Sequence, residues 1–447
     1  MLLDIFVAAN PVWKGTNKCA GILQEYVRAE YNIVVGNNAD PENLPNDFNR
    51  MARHGKGEFL LFLRGDIIPG RETVDGLLAL LSGSEEAGIA VPRLSNGNVN
   101  QAYLGSLEGK ADYTDMDSFF EFARSVQDIG PEARLRVDAA ALLTRRSDFE
   151  AAGGFDPRLH STLEAGTDYA LRLLEKGKLT LVAGYMHRNL SAAEEDEKAG
   201  ELERADRRYM IGKWSLNPNY SLTTRSELLE RVRPREDGSL RVLDVGCAAG
   251  GNLCSLSYKY PGAELYGIEL NRVTARWASR FGKVLSLDVE RLRRPEWQGY
   301  FDYILAPDII EHLRNHYEAL LNLRGMLKPE GHLLLSLPNF MYIGNLMEIL
   351  GGNFKYKIAG ILDATHLRFF TRQSIEELLP RAGLKVAALE PHKFDIDEAR
   401  EKALEELLKL PFADKHREDY LALQWLVDAV RDDADGGAER SGDKVRA

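Results

Sequence analysis

The sequence predicts an α/β protein with two successive sheets, each built from strands that alternate with helices. Three observations lead to this prediction. Short apolar runs end repeatedly in a glycine, an asparagine or an acid, segments with helical spacing separate these runs, and the glycine-rich stretch 246–251 joins one run to a helix. Ligands of such sheets bind where the parallel strands end.

Size and composition set limits on the partners. With 447 residues, 44% of them hydrophobic, the chain can bury two or more cores. The net charge of −11 argues against a nucleic-acid partner, because binding a phosphate backbone usually needs a basic face. The three cysteines, Cys19, Cys247 and Cys254, fit neither a metal-ligand spacing nor an even disulfide set. With no signal peptide and no apolar run near ~20 residues, we expect a cytoplasmic protein without an integral membrane segment.

The first half opens with a strand–helix–strand–helix–strand succession. Strands are predicted at 1–10, 32–35 and 57–66, and helices at 19–28 and 46–53. The strands end in polar residues, so the sequence predicts a parallel or mixed sheet with a ligand edge at these ends.

Six stretches of the first half resemble one enzyme family. They are Ala9-Asn10, Val34–Asp40, Asn49–Glu58, Val137–Asp156, Thr167–Gly177 and Tyr185–His187. In this order they resemble family 2 glycosyltransferases of the GT-A fold, a Rossmann-like domain, over about residues 1–220. The resemblance implies a nucleotide-sugar donor and a glycan or glycoside acceptor.

The resemblance also assigns residues. Asp168 takes the place of the base that removes the acceptor proton, with an ordinary carboxylate near a helix N-terminus as the alternative. The resemblance implies Mg²⁺ or Mn²⁺ held by Asp66 and His187. Five residues would contact the nucleotide sugar: Asn10, Asn38, Asp40, Arg64 and Asp66.

Two positions depart from the family pattern. Arg64-Gly65-Asp66 stands in place of a D-x-D, and Gly36 stands in place of an aspartate. Three interpretations remain open. Asp66 and His187 suffice for a metal, Arg64 itself grips the diphosphate with its guanidinium, or the domain keeps the fold without the activity.

The second half is organised around Arg241–Asn252. Val242–Val245 reads as a buried strand, Gly246, Gly250 and Gly251 break it, and helical spacing resumes at Leu253. A glycine turn that leads into a helix N-terminus lets a nucleotide approach the backbone amides closely.

Acids follow the next strands. Glu269, 25 residues after Asp244, suits the ribose hydroxyls, and Asp288 is placed to meet an adenine amine. With the stretches 301–313 and 327–339, this order resembles class I S-adenosylmethionine-dependent methyltransferases over roughly residues 225–392, with an NAD-binding domain as the alternative. Ala248 replaces the middle glycine of the family turn. The cofactor-binding residues implied are Asp244, Gly246, Gly250, Glu269, Asp288, Val289 and Asp308.

Two histidines are candidate bases for methyl transfer to oxygen. His312 follows Glu311 after the fourth strand, and His366 lies in the stretch 363–371. Anchoring of the surrounding loops is the alternative role for each histidine. The spacing Asp308-x-x-Glu311-His312 also resembles metal-binding methyltransferases, although the sequence identifies no further ligand.

The predicted organisation has four parts. Residues 1–220 form a GT-A-like domain, 221–395 a methyltransferase domain, 396–431 a helical extension with helices at 398–410 and 416–431, and 432–447 a disordered tail. We expect the extension to pack on the methyltransferase domain or on a neighbouring subunit. The second possibility would make the protein a homo-oligomer. We expect a bifunctional enzyme of polysaccharide biosynthesis that adds a sugar and O-methylates a glycan. The alternative is a lone O-methyltransferase whose first domain recognises or scaffolds the glycan.

Overall fold

The computed structural model describes residues 2–11, 13, 16–95, 116–188, 197–393, 396–411, 413 and 417–432. The expected disordered tail falls outside these residues except for Asp432. The chain forms two compact units. The first contains Met1–Glu230 and Ala248–Pro261, and the second contains Arg231–Cys247 and Gly262–Ala447. The first unit thus extends past the boundary expected at 220 and includes the short helix Pro218–Ser221.

The first unit is built on an eight-stranded mixed sheet. Its strands are β1 (Leu2–Ala8), β2 (Glu30–Gly36), β3 (Phe59–Arg64), β4 (Ile67–Pro69), β5 (Ala87–Leu94), β6 (Glu132–Ala133), β7 (Ala141–Arg145) and β8 (Leu179–Arg188). Its helices are α1 (Thr16–Tyr26), α2 (Leu44–Ala52), α3 (Thr73–Ser82), α4 (Met116–Gln127), α5 (Arg146–Ala151), α6 (Thr162–Leu174), α7 (Glu197–Trp214), α8 (Pro218–Ser221), α9 (Ser226–Leu229) and α10 (Gly251–Lys259).

The strand order of this sheet is β2-β1-β3-β7-β5-β8-β4, with β6 paired to β8. Strands β1, β2 and β3 are parallel, and β5 is parallel to β8. Because β7 is antiparallel to both β3 and β5, the five strands β1, β2, β3, β5 and β8 all point the same way. Their carboxyl ends therefore meet at one edge, as the sequence predicts for a mixed sheet.

The second unit contains a seven-stranded sheet of Rossmann-like topology. Its strands are β9 (Arg241–Val245), β10 (Glu264–Glu269), β11 (Lys283–Ser286), β12 (Phe301–Pro307), β13 (Leu327–Pro338), β14 (Leu384–Lys393) and β15 (Ala422–Arg431), in the order β11-β10-β9-β12-β13-β15-β14. Its helices are α11 (Arg272–Ala278), α12 (His316–Met326), α13 (Ile343–Leu350), α14 (Arg372–Arg381), α15 (Glu398–Leu407) and α16 (Arg417–Leu421). Short 3₁₀ turns occur at Val289–Arg291, Pro295–Trp297 and Ile310–His312.

Strand β15 corrects one prediction. We expected a helix at 416–431, but only Arg417–Leu421 is helical, and Ala422–Arg431 is a strand that pairs antiparallel with both β13 and β14. The side chains of Trp425, Val427 and Ala429 are buried in the core at a spacing of two residues. A period of two residues is that of a strand. The leucines nearby add apolar positions that give the same stretch an apparent helical spacing, which explains the wrong prediction.

The predicted amphipathic helix after residue 398 is present as α15. Its apolar face lies in a small cluster with Ile343, Ala413 and Tyr420, with Leu404 fully buried at the centre. Within the described residues, no helix is long and apolar enough to cross a membrane.

Candidate functional site

The edge of the first sheet brings together several of the predicted nucleotide-sugar residues. Asn10 follows β1 and donates a hydrogen bond from Nδ2 to the Ala39 carbonyl at 2.8 Å. Asn38 lies in the turn after β2 with φ of 61°, and Asp40 accepts the Glu42 amide there. Gly36 ends β2, where a Cβ would lie 2.9 Å from the Met51 sulfur. The Met51 side chain therefore fills the place that an aspartate would need.

Arg64 and Asp66 form a closed ion pair at this edge. The guanidinium of Arg64 donates from Nε to Asp66 Oδ1 at 2.7 Å and from Nη2 to Oδ2 at 2.5 Å, and both side chains are buried. The same guanidinium lies 5.0 Å from the centre of the Trp13 ring. Both carboxylate oxygens of Asp66 thus already face a fixed positive charge.

This arrangement does not fit the predicted Mg²⁺ or Mn²⁺. A hard cation needs carboxylate oxygens as ligands, and here a guanidinium occupies them. His187, the other predicted ligand, has its Nδ1 2.7 Å from Ser95 Oγ, and burial lowers the pKa of its ring.

Asp168 occupies a different environment from the one that the sequence suggests. It lies in the middle of α6 and has no exposed surface. Its carboxylate accepts hydrogen bonds from Arg172 Nε at 2.8 Å and Trp214 Nε1 at 2.9 Å, and Lys213 Nζ lies 2.5 Å away. Lys213 also reaches Asp156 at 2.8 Å. A role as base would require α7, which carries Lys213 and Trp214, to move away.

The glycine turn after β9 contains three residues with positive φ. Gly246 has φ of +72°, and a Cβ there would lie 2.2 Å from Ile309 Cδ1. Gly250 has φ of +89° and is the N-cap residue of α10. Ala248 also adopts a left-handed conformation, with φ of 45°, which explains why glycine suits this position.

Four carboxylates line the edge of the second sheet, at or just beyond the strand ends. Asp244 lies near the end of β9 and is fully buried, Glu269 ends β10, Asp288 follows β11 and Asp308 follows β12. Burial, then the charges of Asp244 and Glu269, raises the pKa of the Cys247 thiol. The edge is therefore locally negative and offers acceptors to hydroxyl and amine groups.

The contacts of these acids hold them in place. Glu269 accepts the Asn271 amide at 2.7 Å, and Asp288 accepts the Glu290 amide at 3.0 Å. That second contact caps the 3₁₀ turn that begins at Val289, whose side chain packs against the core.

Asp308 has partners that sequence reasoning missed. Its Oδ1 accepts from Ser336 Oγ at 2.9 Å and from Gln424 Nε2 at 2.7 Å. Ser336 lies on β13, beside β12, and a strand alignment could have suggested it. Gln424 lies on β15, which the sequence misassigned to a helix, so no signal indicated it.

His312 and His366 lie side by side although 54 positions separate them. Their ring centres are 4.7 Å apart at an angle of 72°. His366 Nδ1 lies 2.9 Å from the Ile361 carbonyl, and His312 Nδ1 lies 3.2 Å from the Thr365 carbonyl. Because a carbonyl oxygen only accepts, each Nδ1 carries the proton in these contacts, which leaves each Nε2 with its lone pair.

The carboxylate of Glu311 lies close to the two histidines. One potential ligand atom from each of Glu311, His312 and His366 lies within 4.8 Å of the others, so His366 is a candidate for the further ligand that the sequence could not identify. Burial, then the proximity of His366, lowers the pKa of His312. The neutral imidazole that results can accept a proton or bind a cation.

Backbone and side-chain hydrogen bonds hold the loop that contains His366 and Arg368. The amides of Leu367 and Arg368 donate to the Glu311 carbonyl at 2.8 and 3.1 Å, and Arg368 Nη2 donates to the Arg314 carbonyl. Thr371 caps α14 through Ser374. These contacts bring His366 to His312.

Comparison with known proteins identifies the kind of domain that contains this edge. Residues 213–389 match the model of a family described as "Methyltransferase domain". The C-terminal half of the chain therefore contains a methyltransferase domain. It is of the class I, S-adenosylmethionine-dependent kind, as the sequence predicts.

Two relatives of this domain share the name ubiquinone biosynthesis O-methyltransferase. The one from Marinobacter nauticus is 29% identical over 159 residues, which cover 33% of this chain and 65% of the relative. The one from Rickettsia felis is 26% identical over 162 residues, or 35% of this chain and 65% of the relative. The chain thus spans somewhat less than two thirds of the length of each relative.

Solved structures show weaker likeness. An S-adenosylmethionine-dependent methyltransferase from Mesorhizobium loti is 19% identical and covers 46% of this chain and 96% of its own, with a TM-score of 0.32. That likeness is too low to bear on function.

The methyltransferase domain fits its cofactor. The Gly246 turn leaves no space for a side chain, and the acids after β9 to β12 offer acceptors to ribose hydroxyls, the adenine amine and a positive sulfonium. Asp244, Gly246, Gly250, Glu269, Asp288, Val289 and Asp308 remain the predicted cofactor-binding residues.

Proposed function

We propose that this chain transfers a methyl group from S-adenosylmethionine to a hydroxyl oxygen of a glycan or glycoside, with His312 as the proton acceptor. The observation that carries the proposal is the pair of adjacent imidazoles, His312 and His366, a short turn beyond Asp308. Oxygen as the methylated atom is supported by the two relatives, whose names describe O-methyltransferases.

The chain's residues would act as follows. Bound S-adenosylmethionine supplies an electrophilic methyl group. The acid row beside the Gly246 turn holds and orients the cofactor, and Asp308 is itself fixed by Ser336 and Gln424. His312 takes up the acceptor hydroxyl proton at Nε2, while its Nδ1 stays bonded to the Thr365 carbonyl. His366 packs beside His312, and burial lowers the pKa of His312, which favours its neutral form at the start of the reaction.

The test compares two histidine substitutions. His312→Gln keeps a polar side chain but removes the proton acceptor, so we expect kcat to fall about 10²–10⁴-fold while cofactor affinity is retained. Formation of S-adenosylhomocysteine is measured with a panel of glycosides, and cofactor binding by calorimetry. His54→Gln, at an exposed position of the first unit, is the matched control.

Two outcomes of this test would contradict the role of His312 as the base. An unchanged kcat in His312→Gln would exclude the proposed base. Loss of activity after removal of divalent cations, restored by adding them back, would instead assign Glu311, His312 and His366 as cation ligands.

For the first unit, we propose that it recognises or scaffolds the glycan substrate. The closed Arg64–Asp66 pair and the covered Asp168 favour this role over metal-dependent sugar transfer. Sugar transfer from a nucleotide donor, with Arg64 as the diphosphate ligand, is the second candidate, because a guanidinium can hold a diphosphate bidentately.

Calorimetry on the full chain separates these roles. UDP-, GDP- and dTDP-sugars are titrated with and without Mn²⁺. We expect no Mn²⁺-dependent binding. Binding of one donor that is independent of Mn²⁺ and lost in Arg64→Ala would favour sugar transfer, whereas Mn²⁺-dependent binding would contradict the proposed role of the Arg64–Asp66 pair.

A further inference from the structure

Helix α10, which begins at the glycine turn, is held by residues of the first unit. The stretch 248–261, which contains α10, belongs to that unit. The Ala249 amide donates to the Ser221 carbonyl at 2.9 Å, and the Asn252 side chain accepts the Arg225 amide at 2.8 Å. The end of the turn that is predicted to bind the cofactor is therefore attached to the first unit.

A close backbone approach fixes the first residue of this helix. Gly251 follows the N-cap residue Gly250, and a Cβ at position 251 would lie 2.2 Å from the Thr223 carbonyl oxygen, so a side chain is not tolerated there. The first turn of a helix carries backbone amides that have no partner within the helix and that suit a polar or anionic ligand group. The contacts with residues 221–225 thus set the direction in which these amides point.

Arg134 is a buried cation that joins three elements of the first unit. It follows β6, and its amide donates to the Thr180 carbonyl of β8 at 3.0 Å. Its guanidinium donates from Nη1 to Ser255 Oγ of α10 at 2.9 Å and from Nη2 to Ser226 Oγ of α9 at 2.8 Å. Because a guanidinium is planar and its donors have a fixed geometry, these bonds fix α9 and α10 relative to β8.

Glu132 balances the charge of Arg134 and links it to the centre of the first sheet. Its carboxylate pairs with Arg134 through one oxygen and with Arg93 through the other, at 3.0 Å for Arg93. Arg93 lies on β5 and is buried. Since an unpaired charge in the interior is costly, the three side chains stabilise one arrangement. This ion network begins at β5 and ends at the helix that follows the glycine turn.

We propose that Arg134 is a positioning residue for S-adenosylmethionine, because it holds the N-terminal turn of α10 in the orientation that the cofactor needs. Without the guanidinium, Ser255 and Ser226 lose their charged donor and α10 samples other orientations. Cofactor binding must then also order the helix, and this cost weakens the affinity. The first unit thus contributes to cofactor binding, beyond its proposed recognition of a glycan. The inference rests on cofactor binding at the glycine turn and is independent of the role of His312.

Calorimetric titration of the full chain with S-adenosylmethionine tests the inference. Arg134→Met should weaken cofactor binding at least about tenfold, because α10 loses a charge-assisted hydrogen bond. The matched control is Arg136→Met, which breaks another ion pair between buried side chains of the first unit, with Glu164 at 3.0 Å. Both variants should lower Tm, but Arg136→Met should leave the affinity within about twofold of the native value.

Further measurements separate positioning from a loss of stability. Ser255→Ala leaves the Arg134–Glu132 pair intact and should weaken binding about threefold to tenfold. In the Arg134→Met background the same change should add no further loss, because the hydroxyl has already lost its donor. Hydrogen exchange of the amides of residues 251–255 should become faster in Arg134→Met and not in Arg136→Met.

Three results would overturn the inference. In the first, Arg134→Met binds the cofactor as tightly as the native chain, and in the second, Arg136→Met loses as much affinity as Arg134→Met. In the third, the losses from Arg134→Met and Ser255→Ala are additive, which would show that the arginine does not act through α10. A native chain that binds no S-adenosylmethionine would overturn the cofactor assignment together with this inference, whereas each of the three results leaves that assignment in place.

Discussion

The ligand edges of the two sheets use the same architecture with opposite electrostatics. In both units, parallel strands end in polar residues at one edge. In the first unit the acids are covered by cations of the same chain: Arg64 on Asp66, and Lys213 with Arg172 on Asp168. In the second unit Glu269, Asp288 and Asp308 accept hydrogen bonds from backbone amides or a hydroxyl, and with Asp244 they form a locally negative edge.

This difference separates fold from function. A sheet edge becomes a cofactor site only when its carboxylates are available to hydroxyls and amines, and an internal ion pair removes that availability. The acceptors of the second edge are therefore compatible with cofactor binding, whereas Asp66 and Asp168 of the first unit are already paired within the chain.

The largest expected effect is at the glycine turn of the second edge. Gly246→Val places a side chain where a Cβ meets Ile309 at 2.2 Å, in a backbone conformation with positive φ. We expect S-adenosylmethionine affinity to fall by about a hundredfold or more, as measured by calorimetry. Gly262→Val is the control, because no atom lies within 4 Å of its Cβ position. Equal affinity in both variants would remove the turn from the cofactor site.

The next effect tests the closed pair of the first edge. Arg64→Ala leaves Asp66 buried without its cation, so we expect the free energy of unfolding of the first unit to fall by about 3–5 kcal/mol. Arg291→Ala removes an exposed partner of Asp288 in the second unit and should change stability by less than about 0.5 kcal/mol. The measurement is unfolding by denaturant, with hydrogen exchange used to monitor each unit separately. Similar losses in both variants would contradict the electrostatic contrast.

The smallest effect concerns pH. His332 Nδ1 lies 2.7 Å from Asp428 Oδ1, and this hydrogen bond raises the pKa of His332 above its ordinary value of 6.5 despite partial burial. A raised folded-state pKa stabilises the fold below about pH 6.5, and this contribution is lost as pH rises through the folded-state value. Asp428→Asn should therefore lower Tm more at about pH 5.5 than at about pH 8.5. A Tm difference that does not change with pH would show that the pair is not coupled to folding.

Local signals in the sequence predicted the first strands of the second sheet and the helix that follows the glycine turn. The succession of strand, glycine turn and helix at 241–259 is encoded by adjacent residues, and acids at strand ends are visible one strand at a time. For the first sheet, the alternation of strands and helices predicted a parallel or mixed sheet, and the sheet is mixed. The assignment of the first unit to the GT-A fold, with its donor, stays a prediction.

Long-range pairings could not be predicted. Arg64-Gly65-Asp66 reads as a damaged metal motif, and only the fold shows that the arginine turns back on the aspartate. The meeting of His312 with His366 depends on a loop that bonds the Glu311 carbonyl. The burial of Asp168 depends on Lys213 and Trp214, more than forty positions away. Each contact is a property of tertiary packing, which a single sequence does not reveal.

Strand β15 has a consequence for biosynthesis. It lies between β13 and β14, although the ribosome makes it after both. Until Ala422–Arg431 emerges, β14 has no neighbour in the sheet, and Gln424 cannot reach Asp308. Nascent chains of this protein should therefore carry an open sheet edge late into translation, a period in which chaperones that cover unpaired strands would be most needed.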